Sequence, residues 1–250
     1  MKFGVADYGM NVWYGGLYDI GARLEDLHAL GFNGIERVEA MNAADALTKA
    51  ALYRRLDMDF ATCRGPNPAA GIEWTAGLGK EYVWLTPGDG SPEVDFNVYC
   101  RRSHDFAKAC ARAGIKAAIH NHLGSRIETQ EELDAFLTEC PEVGLLLDIG
   151  HLHAAKGGDV VGTIEKYHDR LVAVHFKDIY YTDRENPVWH KRLRFCELGG
   201  GNAGLDYKAA GKALKKHGFD KWAFIEHDTH LNDPLKDLKV SLDIMKAILL

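Results

Sequence analysis

The sequence has little that would staple or anchor a chain from outside its own core. Its five cysteines (Cys63, Cys100, Cys110, Cys140 and Cys196) are scattered, odd in number and never spaced as CxxC. That argues against a disulfide framework and for reduced thiols in a cytosolic protein. No apolar run approaches the roughly 18 residues that a membrane span needs. Met1-Lys2 leads straight into Phe3-Gly4-Val5 with no apolar leader or cleavage site. A cytoplasmic location and no membrane partner are expected. Positive charge is in deficit: 30 Lys and Arg face 36 Asp and Glu, a formal net charge of -6. A nucleic-acid partner would want a basic stripe, so none is expected. No GxGxxG follows the first apolar run, and Asp7-Tyr8-Gly9-Met10 is no phosphate loop, which weakens a nucleotide-binding reading. No GxSxG or Cys/His signature supports a nucleophilic hydrolase.

What is present is apolar material in a repeating order. Of 250 residues, 46% are hydrophobic, enough for one large core. Short apolar runs read as buried parallel strands at Phe3–Ala6, Gly34–Val38, Asp59–Cys63, Tyr82–Thr86, Ile115–Ile119, Val143–Leu147, Leu171–Phe176 and Trp222–Ile225. Between them lie helix-like segments, among them Asp19–Leu30 stopped by Gly31, Ala43–Leu56, Val94–Ala113 and Thr129–Thr138. Further helices are read at Val160–His168, from Asp206 to His217, and over Pro234–Ile248, with an irregular stretch from Ile179 to Gly204. Eight strand–helix repeats with no linker predict one α/β domain over residues 1–250, a (β/α)8 TIM barrel. An open doubly wound sheet is the alternative, since alternation alone does not prove closure.

The chemistry collects where the strands end. Ile115–Ile119 runs into His120-Asn121-His122, and Val143–Leu147 into Asp148 with His151 beyond. Leu171–Val174 runs into His175-Phe176-Lys177-Asp178, and Ala223–Ile225 into Glu226-His227-Asp228. The C-terminal ends of barrel strands form the face where such folds keep their sites. Singly, Asp148 reads as a turn cap, His175 as a satisfied buried histidine and Glu226 as half of an ion pair. Four consecutive strand ends outweigh those accounts and point to a metalloenzyme. Asp148, His175 and Glu226 would supply three ligands, with the fourth from His120, His122 or Glu128. Mixed carboxylate and imidazole donors suit one divalent ion: Mn2+ first, then Co2+, Zn2+ or Fe2+, with Mg2+ less suited.

Around this set, His151 can face substrate, and Lys177 can reach a substrate oxygen from the rim. Arg64, ending the third strand, can bind a carboxylate or sugar oxygen. Trp13 and Tyr14 can wall a sugar ring. Glu197 opens the glycine-dense stretch Glu197-Leu198-Gly199-Gly200-Gly201-Asn202, read as a substrate contact on a mobile lid after the seventh strand.

These residues resemble the xylose-isomerase-like barrel superfamily, which includes sugar isomerases and epimerases, inosose dehydratase, 3-dehydroshikimate dehydratase and endonuclease IV. Gly31-Phe32-Asn33-Gly34-Ile35-Glu36 is similar to its second strand. The stretch from His120 to Thr129 resembles the inosose dehydratase branch. Asp148-Ile149-Gly150-His151-Leu152, Val174-His175-Phe176-Lys177-Asp178, Glu197 to Gly201 and Ile225-Glu226-His227-Asp228 complete the pattern. The resemblance implies a divalent metal held by Glu, Asp, His and Glu. The last three map onto Asp148, His175 and Glu226. At the first, His120 stands where many members have Glu, so Glu128 is favoured as the carboxylate that swings back, leaving His120, His122 and His151 for proton transfer or substrate contact. It further implies a keto-sugar or keto-inositol substrate, α-proton abstraction and an enediolate, leading to dehydration or β-elimination, or to epimerisation. Alternatives are a sugar isomerase or epimerase without elimination, an endonuclease IV-like metal nuclease, and a non-catalytic sugar-binding barrel. A homo-oligomer is compatible with all of them.

Overall fold

The computed structural model describes residues 1–6, 19–227 and 233–250. Eight parallel strands form one sheet: β1 (Lys2–Val5), β2 (Gly34–Glu39), β3 (Asp59–Arg64), β4 (Tyr82–Trp84), β5 (Lys116–His120), β6 (Gly144–Asp148), β7 (Leu171–Phe176) and β10 (Trp222–Ile225). Two further strands, β8 (Asp178–Tyr181) and β9 (Leu193–Cys196), pair antiparallel as a separate hairpin. The hydrogen-bonded order β3-β2-β1-β10-β7-β6-β5-β4 brings the two ends of the ladder, β3 and β4, round to face each other. This is a TIM barrel, with β1 closing onto β10 and a seam between β3 and β4.

Helices join the strands: α1 (Ile20–Leu30), α2 (Ala43–Arg55), α3 (Pro68–Gly77), α4 (Phe96–Arg112), α5 (Gln130–Glu139), α6 (Ile149–Ala154), α7 (Val160–Tyr167), α8 (Trp189–Arg192), α9 (Tyr207–Lys216) and α10 (Pro234–Leu249). Their starts are written in the sequence. The side chains of Asp19, Asn42, Asn67, Asp95, Asp159, Asp206 and Asp233 each accept a backbone N–H of the first turn. Thr129 and Glu132 form a reciprocal capping box. Gly31 ends α1 at φ 93°, a left-handed cap that glycine adopts without steric cost. Among the described residues no helix is long and apolar enough to cross a membrane.

The main core lies between the sheet and the helices, where Leu24, Leu27, Leu133, Phe136, Leu242 and Met245 bury against the outer strand faces. A second layer fills the barrel itself, with Tyr82, Ala118, Leu146, Ala173 and Phe224 inside. Phe224 stacks on Trp222 (5.1 Å between ring centroids), and the His175 ring lies 5.8 Å from Phe224. The polar groups at the strand ends therefore stand on an apolar plug.

The stretch read as irregular from Ile179 to Gly204 is instead the β8–β9 hairpin with α8 at its turn. Ile179, Leu193 and Phe195 pack under it with Leu123 and Ala155, so alternate residues of both strands face inward. The second departure is α6, which starts at once after β6 and holds His151 at 1% exposure.

Candidate metal centre

At the mouth of the barrel one donor atom from each of His120, Asp148, His175 and Glu226 lies within 4.8 Å of all the others. They come from the ends of β5, β6 and β7 and the residue after β10. Asp148 and His175 are wholly buried and Glu226 nearly so. Asp148 Oδ2 stands 3.4 Å from His120 Nε2 and 3.6 Å from His175 Nδ1, and Glu226 Oε2 stands 3.1 Å from His175 Nδ1. Ligands about 2.1 Å from a shared divalent ion lie roughly 3 to 4 Å from one another. The three contacts above fall in that range and no pair of the four donors exceeds 4.8 Å, so two carboxylates and two imidazoles converge as the donor set of such an ion.

Each ligand-type group is held by its neighbours. Asp148 ends β6 and caps α6. Its Oδ1 accepts the His151 N–H at 2.8 Å, so only Oδ2 turns to the centre. Asn121, fully buried, clamps the same residue from both sides: its Nδ2 donates to the Asp148 carbonyl and its Oδ1 accepts the Asp148 N–H, each at 2.9 Å. The alternation along His120-Asn121-His122 sends the amide away from the two imidazoles, into the β6 backbone. Glu226 is fixed through its N–H, which donates to the Phe176 carbonyl. Glu36 of β2, also fully buried, places Oε2 3.1 Å from His175 Nε2. Its Oε1 accepts the Trp84 indole N–H at 2.9 Å and the Tyr82 hydroxyl at 3.1 Å.

Lys177 is not a rim residue. Its side chain is wholly buried, with Nζ 2.6 Å from Glu226 Oε2, 3.0 Å from Asp148 Oδ2 and 4.3 Å from the Phe195 ring centre. Its path runs over Gly150, where a Cβ would sit 2.3 Å from Lys177 Cγ. Asp178, its sequence neighbour, points elsewhere and accepts the N–H groups of Ile179 and Gly199. Burial opposes charge on Asp148 and on Glu226, but the Lys177 ammonium and nearby imidazoles hold both carboxyls well below the usual carboxylate range. Burial likewise opposes charge on His175, yet Glu36 and Glu226 hold its imidazole well above the ordinary histidine value.

Beside this group stand two neutral imidazoles. The His122 and His151 rings lie 3.7 Å apart, with Trp189 of α8 about equally close to both, at 5.8 and 5.9 Å. Burial, with the charges of His120 and Lys177, pushes His122 down to about 4. Burial and Lys177 take His151 well below its ordinary value. The backbone of Leu123 sets opposite tautomers. Its carbonyl can only accept, so His122 Nδ1, at 2.6 Å, carries the proton and leaves Nε2 bare. Its N–H donates to His151 Nδ1 at 3.3 Å, so the His151 proton sits on Nε2.

The other residues singled out from the sequence lie apart from the four. Glu128, favoured there as the fourth ligand, is held in the turn after β5: its carboxylate accepts the Gly124 N–H at 2.5 Å and its own N–H donates to Glu132. His120 takes the place in the group. Arg64 ends β3 with its side chain 60% exposed and pairs with Glu39 at 3.1 Å. It helps line a cavity of about 310 Å³ at the β3–β4 seam with Arg37 and Trp84. Glu197 follows β9, half-buried, with no hydrogen-bond partner for its Oε2 among the described residues. Trp13, with Tyr14, Asp7 and Asp228, lies outside the described residues. Glu36, Asn121, Trp84 and Trp189 carry roles that the sequence reading did not give them. The one available signal was a lone carboxylate in the otherwise apolar stretch Gly34-Ile35-Glu36.

A family model described as "Xylose isomerase-like TIM barrel" matches residues 69–248. The chain belongs to this family. Xylose isomerase-like relatives include an inosose dehydratase of Lactiplantibacillus plantarum, 30% identical over 171 residues, which cover 65% of this chain and 53% of that protein. The rhizopine catabolism protein MocC of Rhizobium meliloti is 33% identical over 146 residues, 55% of this chain and 44% of that protein. The chain thus spans about half the length of these curated relatives. Among solved xylose isomerase-like folds, D-psicose 3-epimerase from Clostridium cellulolyticum H10 superposes with a TM-score of 0.73 at 14% identity, covering 100% of this chain and 99% of that one. The IolI protein with a binding zinc atom gives a TM-score of 0.72 at 16% identity, covering 100% and 98%.

Proposed function

We propose that the protein is a divalent-metal-dependent enzyme that acts on a keto-sugar or keto-inositol by removing the proton α to the carbonyl. The observation that carries this reading is the convergence of His120, Asp148, His175 and Glu226 donor atoms within 4.8 Å, next to two neutral imidazoles of opposite tautomer. The inosose dehydratase relatives support a cyclitol or sugar substrate and an elimination outcome. An epimerase of the same fold supports a shared first step with a different ending. Among the described residues a single ligand-type group occurs, which disfavours a nuclease with a trinuclear centre.

His120, Asp148, His175 and Glu226 would hold a divalent ion, whose Lewis acidity would polarise the substrate carbonyl and make the adjacent C–H more acidic. The bare Nε2 of His122 takes that proton as general base, and the electron pair of the broken C–H bond enolises the substrate. His151, whose ring lies 3.7 Å from that of His122, carries its proton on Nε2 and serves as the general acid. In elimination the enol electrons expel the β-hydroxyl, the C–O bond breaks, and the hydroxyl leaves with the His151 proton as water. In epimerisation no C–O bond breaks: His122 keeps the proton it took, and a second proton donor delivers a different proton to the opposite face of the α-carbon. Lys177 keeps the Asp148 and Glu226 carboxylates charged, and Trp189 offers a flat wall beside the two histidines.

The test is elemental analysis of the purified protein with deuterium wash-in from D2O on a panel of keto-sugars and keto-inositols. About one ion per chain, with exchange at one α-carbon, supports the reading. Absence of bound metal with no exchange on adding Mn2+, Co2+, Zn2+, Fe2+ or Mg2+ would leave a sugar-binding barrel and sink it.

A further inference from the structure

Glu36 is a fully buried carboxylate with both oxygens committed. Trp84 Nε1–H can only donate, so the oxygen it reaches at 2.9 Å must accept. The other oxygen lies 3.1 Å from His175 Nε2, on the side of the ring away from Asp148 and Glu226. We propose that Glu36 is a positioning residue that keeps the proton of His175 on Nε2 and so presents the Nδ1 lone pair to a divalent ion between Asp148 and Glu226. The inference rests on the metal reading above. Its physical basis is that a metal-ligating imidazole almost always donates its other ring N–H to an acceptor, which fixes the tautomer and strengthens the ligand.

Glu36→Gln makes the argument sharp. The amide has the same shape, and its single carbonyl oxygen must face the Trp84 N–H. Its NH2 then faces His175 Nε2. Two donors cannot meet there, so Nε2 gives up its proton and Nδ1 carries one, where it blocks the ion. A second change reverses this. In Glu36→Gln with Trp84→Phe the amide is free to turn, because the Tyr82 hydroxyl can accept as well as donate. The carbonyl oxygen can then face His175 again.

The experiment measures Zn2+ and Mn2+ affinity by titration calorimetry and the His175 ring by 15N–1H NMR, in the metal-free and Zn2+-loaded chain. The wild type is expected to show an Nε2–H correlation in the Zn2+-loaded state. Glu36→Gln should lose that correlation and weaken the ion by about 10- to 100-fold, and the double variant should regain both. A residue that merely filled space would not be rescued by removing a second side chain. Glu36→Gln with wild-type affinity and an intact Nε2–H signal overturns the inference, as does a Zn2+-loaded wild type ligated through Nε2. Should Glu36→Gln fail to fold, the wild-type NMR assignment decides alone. A wild type that takes up no metal is a different failure, that of the metal reading itself.

Discussion

The Lys177 ammonium lies 2.6 Å from Glu226 Oε2, with the lysine side chain wholly buried and the carboxylate 5% exposed. The same Nζ reaches Asp148 Oδ2 at 3.0 Å, so one buried cation serves both carboxylates that would hold a divalent ion. Removing one partner of a buried pair leaves uncompensated charge, which costs about 3–5 kcal/mol. Lys177→Met should therefore lower the unfolding free energy of the EDTA-treated protein by that order, read as a lower urea midpoint. Millimolar Mn2+ or Zn2+ should recover more stability in the variant than in the wild type, because a bound cation replaces the missing one. Equal midpoints in EDTA would show that Lys177 does not stabilise the centre.

The buried thiols predict how stability changes at alkaline pH. Cys63 is pushed up to about 11 and Cys110, Cys140 and Cys196 to about 12, in each case first by burial. In the unfolded chain a thiol ionises near 8.5. Between roughly pH 9 and 10 the unfolded state therefore binds fewer protons than the native one, and stability must fall as pH rises. The slope is up to about 1.4 kcal/mol per pH unit for each thiol. Urea unfolding at pH 8, 9 and 10 should show the decline, and Cys110→Ala should flatten it. A thiol reagent at pH 8 should label no cysteine in the native protein and all five after denaturation. Rapid native labelling would contradict the burial assigned here.

Asp148 has two jobs, and two substitutions separate them. Asn keeps an oxygen for the His151 N–H and so preserves the start of α6. It removes the charge that would face an ion. Asp148→Asn should fold with a near-native circular dichroism spectrum and lose bound metal, and Glu226→Gln should do the same. Asp148→Ala should lose the cap as well, costing a further 1 kcal/mol or so. Wild-type metal content in Asp148→Asn would remove Asp148 from the ligand set.

What the sequence shows well is whatever repeats. The apolar runs at Val143–Leu147 and Leu171–Phe176 read as strands because both faces of a parallel barrel strand are buried, and the structure has β6 and β7 there. Residues at the ends of those runs inherit a position from the topology. The β8–β9 hairpin was hidden because one face of each strand meets solvent: Tyr180 is 41% exposed between buried Ile179 and half-buried Tyr181. Helix α6 was hidden because Ile149, Gly150, His151 and Leu152 are all buried, which leaves no polar stripe to mark a helix. The choice between His120 and Glu128 turns on where a short turn aims one carboxylate. Spacing in the sequence does not encode that; in the structure the Glu128 carboxylate accepts the Gly124 N–H, while His120 stands in the group of four.

The opposed tautomers of His122 and His151 should divide one reaction into two measurable halves. With its proton held by the Leu123 carbonyl, His122 presents a bare Nε2 that can accept a substrate proton. His151, receiving the Leu123 N–H, presents an Nε2–H that can give one. His122→Gln should lose deuterium wash-in and product together, by about 10²- to 10⁴-fold. His151→Gln should keep wash-in near the wild-type rate and lose only the elimination product, because enolisation precedes departure of the hydroxyl. Both variants should bind metal as the wild type does, since neither ring belongs to the group of four. If His151→Gln abolishes wash-in while His122→Gln leaves it intact, the roles of base and acid are exchanged. If neither changes wash-in, the α-proton goes to another group.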